Sequence, residues 1–450
     1  MSTVINPATE ETIEELAPAR PEDVDRAVEA ARRAWPAWRD VAPADRARLL
    51  RRVADAVESH AEELARLETR NVGKPIGDSR AEAGMVAEVF HYYAGAIDKH
   101  HGATIPVAGG VDCTFREPLG VVGLITPWNF PMNIASWKLA PALACGNTVV
   151  LKPAEITPLT SLRLAEIAAE AGVPDGVVNV VVGPGSTVGQ RLVEHRDVRK
   201  IAFTGSTEVG RKVMQGASET IKRVTLELGG KSANLVFADA DLEAAARAAP
   251  PAVFGNAGQD CCARSRILVE GSVLDRFMDL LIAATAELRV GDPEEDDTEM
   301  GPLVSAEQRD KVASYVDDNV AFTGEAPQGR GFWYPPTLLA PVSNDDRAAR
   351  DEIFGPVACV IPFEDEADAI RIANDTPYGL SGSIWTRHGG RALRVARAIE
   401  SGVLSINSNT SVRPATPFGG FKQSGFGREL GMPALDGYSE VKNVFISTEV

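Results

Sequence analysis

The feature that most constrains this chain is an alternation that begins at residue 120. Five apolar runs, VVGLI, NTVVL, VVNVVV, KIAFTG and RVTLEL, are mostly separated by amphipathic stretches such as TSLRLAEIAAEAG and STEVGRKVMQGA. Strand-length runs alternating with helical ones predict a parallel sheet covered by helices, because parallel strands need a crossover long enough to hold a helix. A second series begins at SANLVF (232–237) and continues through ACVIPF and SGVLSIN. At 450 residues the chain exceeds one ordinary core. The plan expected is two α/β domains in series with a cleft between them, hinged at ELGGKS, residues 227–232.

Upstream, Val24, Ala27, Val28, Ala31 and Trp35 recur at helical spacing in PEDVDRAVEAARRAWPAW. Further helices are predicted over 44–70 and 78–98, and the Gly-Gly-centred run 102–120 reads as a hairpin.

Net charge bounds the partners. At −17 the chain repels phosphate backbones and anionic lipid, which argues against nucleic-acid and membrane-surface binding. No apolar run approaches bilayer-spanning length and no secretory signal is visible. Five cysteines, odd in number and scattered apart from Cys261-Cys262, are not a disulfide framework, so a reducing, cytoplasmic setting fits. The six histidines never stand at ligand spacing with cysteines, and no metal is expected.

Several short motifs carry candidate chemistry. VVGPGSTVG (181–189) is one residue too long for a dinucleotide fingerprint and reads as a connecting loop. FTGSTEVG (203–210) follows a strand and opens a helix. Its free N–H groups suit a pyrophosphate, or it is a plain strand–helix turn. In LKPAE (151–155), Lys152 and Glu155 sit just past a strand's carboxyl end, where ligands bind in open α/β sheets. A carboxylate there accepts from both ribose hydroxyls and repels a 2′-phosphate, favouring NAD over NADP; a surface helix start is the other reading. TPWNFP presents one amide, Asn129, between prolines and aromatics, as an oxyanion site needs or as a structural turn would. In TLELGG, Glu227 lies among leucines. Desolvation would raise its pKa toward that of a general base, unless it pairs with Lys231. GQDCC raises the question of a nucleophile. Adjacent side chains diverge on strands and helices, so at most one of Cys261 and Cys262 faces a cleft.

TPWNFP, LKPAE, FTGST, LELGGKS, FGNAGQDCCARSR, EIFGPV, NDTPYGLSGSIWT and PFGGFKQSGFGREL occur in this order. Together they resemble the aldehyde dehydrogenase superfamily in its non-acylating, hydrolytic branch, from INPATEE (5–11) to YSEVKNV (438–444). The resemblance implies two doubly wound α/β domains, a Rossmann-like cofactor domain (1–101 and 119–229) and a catalytic domain (230–429). A small β oligomerisation arm (102–118 and 430–450), pairing across subunits, completes a homo-dimer or homo-tetramer. It places the nucleophile on Cys261, the base on Glu227, the oxyanion donors on Asn129 and the Cys261 N–H, and a proton-relaying carboxylate on Glu429. NAD would be held by Lys152 and Glu155 at the adenosine ribose and by Gly205 and Ser206 at the pyrophosphate. Glu352 and Phe354 would hold the nicotinamide ribose and ring, and Ile125, Trp128 and Leu228 would line the slot. The implied reaction oxidises an aldehyde through a cysteine thiohemiacetal and a thioester, which water activated by Glu227 hydrolyses to the carboxylic acid.

Phe130, Trp137, Met85 and Phe418 match pocket positions. Gly255 stands where many relatives carry an aromatic, which widens the pocket. Glu82, one turn from Met85, is the acid found in aminoaldehyde oxidisers, whereas Arg413 would attract an anion. The expected substrate is an aliphatic or amino-aldehyde, with a semialdehyde or aromatic aldehyde as the alternative. A cofactor-free thiol esterase would not need Lys152, Glu155 and Glu352. A catalytically silent scaffold would not need Cys261 and Glu227.

Overall fold

A computed structural model describes residues 2–316, 319–410 and 412–449. The N-terminal third supplies helices Pro21–Arg39, Pro43–Ser59, Ala61–Val72 and Ile76–Ala96, preceded by a small hairpin of Ser2–Ile5 and Thr12–Leu16.

The first sheet has six strands. Its order is Gly425–Phe426, Arg223–Glu227, Val198–Thr204, Val121–Ile125, Thr148–Lys152, Val178–Val180. All neighbours are parallel except the short edge strand Gly425–Phe426. Val121–Ile125 and Thr148–Lys152 are buried at every position, as strands covered on both faces require. Of VVNVVV only Val178–Val180 forms a strand, half-buried at the sheet's edge.

Residues 228–232 lead from the first sheet into the second. Its seven strands run Val320–Thr323, Thr337–Leu339, Val357–Phe363, Arg266–Glu270, Ala233–Val236, Ser381–Trp385, Val403–Ile406, parallel except for the first. The chain returns to the first sheet at Gly425–Phe426, inside the span expected for the second domain.

The hairpin forms from Thr104–Val107 and Gly110–Pro118. Within the chain, the two arm segments meet each other. Ser439–Ser447 pairs antiparallel with Gly110–Pro118 of its own chain over nine residues. This three-stranded sheet leaves Phe115, Val441, Phe445 and Ile446 about half exposed.

Candidate active site

In the first sheet the chain leaves Val121–Ile125 toward Thr148–Lys152 on one side and later toward Val198–Thr204 on the other. Such a switch point opens a crevice at the strands' carboxyl ends. A cleft of about 620 Å³ lies there. Ile125, Trp128, Asn129, Lys152, Gly205 and Ser206 form its sheet side, and Leu228, Cys261, Glu352 and Phe354 complete it. Ser206 caps helix Thr207–Ser218, its Oγ accepting from the Val209 N–H at 3.3 Å, so the helix's positive end faces the cleft. Lys152 donates to the Pro153 carbonyl at 2.9 Å. Burial brings its pKa down to about 8, with nearby Glu155 opposing the shift. Glu155 itself is half-buried and not part of the cleft wall. Trp128 meets Phe354 edge-on, 5.2 Å between ring centroids.

The glycines of LELGG have a steric reason. A Cβ on Gly230 would lie 2.2 Å from the Cys261 carbonyl oxygen, and one on Gly229 would lie 2.3 Å from Glu352 Oε2. Glu352 Oε1 accepts from the Gly230 N–H at 2.9 Å. Burial pushes the Glu352 carboxyl up to about 7 against that bond.

Cys261 follows a sharp reversal. Asn256, Ala257 and Gly258 all have left-handed backbone, φ 50, 54 and 69°. Asn129 is tied to this loop by both its side chain and its backbone. Its Nδ2 donates to the Gln259 carbonyl at 2.8 Å, and its backbone carbonyl accepts from Asn256 Nδ2 at 3.0 Å. An amide nitrogen carries two hydrogens, so one anchors the side chain and the other remains to donate. Asp260 Oδ1 accepts from the Cys262 N–H at 2.8 Å. Contact with the Cys262 thiol, then burial, then the Cys262 and Asp260 charges hold the Cys261 thiol well above its usual range.

The expected divergence of the two cysteines is corrected here. Only Cys261 lines the cleft, yet both sulfurs and an Asp260 oxygen lie within 4.8 Å of one another. Residues 261–262 form a turn, where neither strand nor helix geometry separates neighbours.

Glu227 ends its strand 4% exposed, with no hydrogen-bond partner among the described residues for either carboxyl oxygen, Lys231 included. Burial, then the charge of Glu429, pushes its pKa well up, against Lys138 and Arg428. Glu429 Oε1 accepts from Lys138 Nζ at 2.6 Å, while its Oε2 has no partner among the described residues.

A model of the aldehyde dehydrogenase family matches residues 1–444. The chain belongs to that family. It is 43% identical over 461 residues to a betaine aldehyde dehydrogenase of Bacillus subtilis (strain 168), spanning 99% of this chain and 94% of that protein. The crystal structure of PnpE from Pseudomonas sp. WBC-3 superposes with a TM-score of 0.97 at 46% identity, covering all of this chain and 94% of that one. PnpE has also been solved in complex with nicotinamide adenine dinucleotide. Betaine aldehyde dehydrogenase from Staphylococcus aureus, solved with NAD+, gives a TM-score of 0.97 at 40% identity, covering 100% of this chain and 92% of its own. This aldehyde dehydrogenase is an NAD-dependent oxidoreductase.

In this aldehyde dehydrogenase Trp137 and Phe418 meet edge-on at 5.2 Å, and Met85 and Phe130 pack against the same core as Cys261. Glu82 is not a free anion: Lys74 Nζ lies 2.6 Å from it and 3.5 Å from Glu68, and 4.2 Å from the centroid of the Phe130 ring. Arg413 is exposed. A Cβ on Gly255 would meet nothing within 4 Å. Sequence reasoning missed Lys138, Lys74, Gln259 and Arg264. Lys138 did carry a signal, as the one charged residue of helix Pro131–Ala144, buried throughout.

Proposed function

We propose that this enzyme oxidises an aliphatic or amino-aldehyde to the carboxylic acid, with Cys261 as nucleophile, Asn129 and the Cys261 N–H as oxyanion donors and Glu227 as the base. The observation that carries this reading is a thiol and an amide locked to the thiol's own loop meeting at one cleft, beside a strand whose last residue is a buried carboxyl with no partner among the described residues. NAD fits the cleft: the capped helix start at Ser206 suits the pyrophosphate, Lys152 the ribose, and the Trp128–Phe354 pair a flat ring. When bound, it supplies the hydride acceptor. The Cys261 sulfur bonds to the aldehyde carbon while Asn129 Nδ2 holds the oxygen. Glu227 takes a proton from the water that frees the acyl group, and Glu429 with Lys138 offers that proton a way on. Glu155, beside Lys152, favours NAD over NADP.

The Lys74–Glu82 ion pair removes the acid that would select an ammonium group, so of the two classes aliphatic aldehydes are favoured. A panel of aliphatic, amino-, carboxy- and aromatic aldehydes, followed by NADH absorbance, tests this; a strict requirement for a charged group overturns it. The space beside Gly255 predicts a second result. Gly255→Trp is expected to raise KM for long-chain or cyclic aldehydes about tenfold or more while leaving two- and three-carbon aldehydes nearly unaffected. Equal effects on both would show that this space is not substrate pocket.

We also assign residues 1–101 and 119–229 to cofactor binding, 230–429 to catalysis, and 102–118 with 430–450 to a homo-oligomeric contact. The support for the contact is the half-exposed apolar side chains on both faces of this sheet, Phe115 and Ile446 on one and Val441 and Phe445 on the other, which an isolated chain would leave in water. Light scattering is expected to give a dimer or tetramer, and Val441→Asp with Phe445→Glu a smaller species. A monomeric wild type sinks the assignment. Cys113, Cys145, Cys261 and Cys262 are free thiols, which suits a reducing, cytoplasmic setting. Among the described residues no helix is long and apolar enough to cross a membrane.

A further inference from the structure

Two thiols and a carboxylate converge where the proposed reaction needs only one thiol. The Sγ atoms of Cys261 and Cys262 and a carboxylate oxygen of Asp260 lie within 4.8 Å of one another. We infer that these three side chains form a site for a soft divalent cation of the zinc class, and that its occupation reversibly silences the enzyme. The silencing rests on Cys261 being the nucleophile; the binding does not.

The donor set selects the ion. Two thiolates discriminate against magnesium and calcium and suit zinc or cadmium. Zinc binds sulfur at about 2.3 Å, so a tetrahedral ion holds two sulfurs about 3.8 Å apart. The donor atoms already lie within 4.8 Å, so side-chain rotations of at most about 1 Å gather the set. The Asp260 carboxylate is already oriented by the Cys262 N–H at 2.8 Å. Both cysteines are partly accessible, and Cys261 opens to the cleft, which gives the ion an entry path and water as fourth ligand.

The charges also balance. A divalent ion displaces one proton from each thiol to solvent, with no change of oxidation state. Two thiolates, one carboxylate and the ion then carry a single net negative charge. The guanidinium of Arg264, 2% exposed, lies directly behind: its Nη1 donates to the Cys262 carbonyl and its Nε to Ser383 Oγ at 2.9 Å. A buried cation next to a singly negative cluster offsets the cost of placing that cluster away from water.

The test uses the intact enzyme in a phosphine reductant, which adds no competing thiol. Zinc retention is read by equilibrium dialysis and metal analysis, and activity as NADH formation. Wild type is expected to retain a single equivalent of zinc per chain, to lose activity in step with it, and to recover with EDTA. Cys262→Ala and Asp260→Asn are each expected to weaken zinc retention about tenfold or more, with inhibition measured against each variant's own metal-free rate. Unchanged zinc affinity in Cys262→Ala overturns the site. Should the variants fold poorly, alkylation of wild type decides: zinc is expected to protect both cysteines, and protection of Cys261 alone overturns the proposal. If instead Cys261→Ala still turns over aldehyde, the nucleophile assignment fails while dialysis still reports on the metal.

Discussion

Cys261→Ala is expected to abolish NADH formation while nucleotide binding survives. The loss should reach about four to six orders of magnitude, because the covalent step disappears and no other group replaces it. Without the sulfur the aldehyde carbon stays trigonal, and the oxyanion donors have no tetrahedral oxygen to hold. The rest of the site should persist. The loop is tied to its neighbours through the Gln259 carbonyl, the Asn256 amide and the Asp260 carboxylate, while the Cys261 thiol meets the adjacent Asp260 and Cys262 side chains. Nucleotide binding, read by quenching of Trp128 fluorescence at the cleft wall or by calorimetry, therefore remains near the wild-type value. Cys262→Ala separates the neighbours, since it keeps the nucleophile and is expected to keep NADH formation. If Cys261→Ala turns over within roughly tenfold of wild type, or if Cys262→Ala is the variant that dies, the assignment is wrong.

How far the site could be read from the sequence depended on where its contacts lie along the chain. Asn129, Glu227 and Cys261 each sit in a local motif whose glycines, prolines and aromatics are fixed by close packing, so short stretches carry the signal. LELGG is such a case: its glycines are required by the backbone of Cys261 and the carboxylate of Glu352, and the run is recognisable without knowing either. The α/β layout was legible for a similar reason, because buried parallel strands are continuous apolar runs. What stayed hidden depends on distant partners. Lys138 and Glu429 are 291 residues apart, and nothing in either local stretch announces the pair. Glu82 looked like a free acid, because Lys74, eight residues earlier, meets it only once two helices pack. The arm hid a distant pairing in the same way: Ser439–Ser447 joins Gly110–Pro118, more than 300 residues earlier, and neither stretch announces the other. The cysteine pair was misjudged because a period-based argument does not apply in a turn.

Glu227→Gln is expected to leave a first burst of NADH and suppress every later turnover. Glutamine has the same shape but cannot take a proton, so the acyl group should form on Cys261 and stay there. Steady-state turnover should fall by about two to four orders of magnitude, the usual contribution of a positioned base. A burst approaching the enzyme concentration, trapped as acyl-enzyme in the mass spectrum, would locate the block at hydrolysis; unimpaired multiple turnover would remove Glu227 from that role. The pH dependence adds a check that a purely structural residue would fail. Burial and the charge of Glu429 hold the Glu227 pKa well above the usual carboxylate range. The base works only after losing its proton, so wild-type turnover should climb with pH well beyond that range. Glu429→Gln removes the neighbouring negative charge and should move the rise to lower pH. Stability should change in the opposite sense. A carboxyl whose folded pKa is raised contributes stability below its unfolded pKa and loses it as pH climbs through the folded value. Glu227→Gln keeps the neutral form at every pH, so its melting temperature should exceed that of wild type on the alkaline side and match it in acid. A catalytically dead variant that is more stable only where Glu227 would be ionised is what an unpartnered, buried base predicts, and a structural glutamate held by a salt bridge would give the reverse.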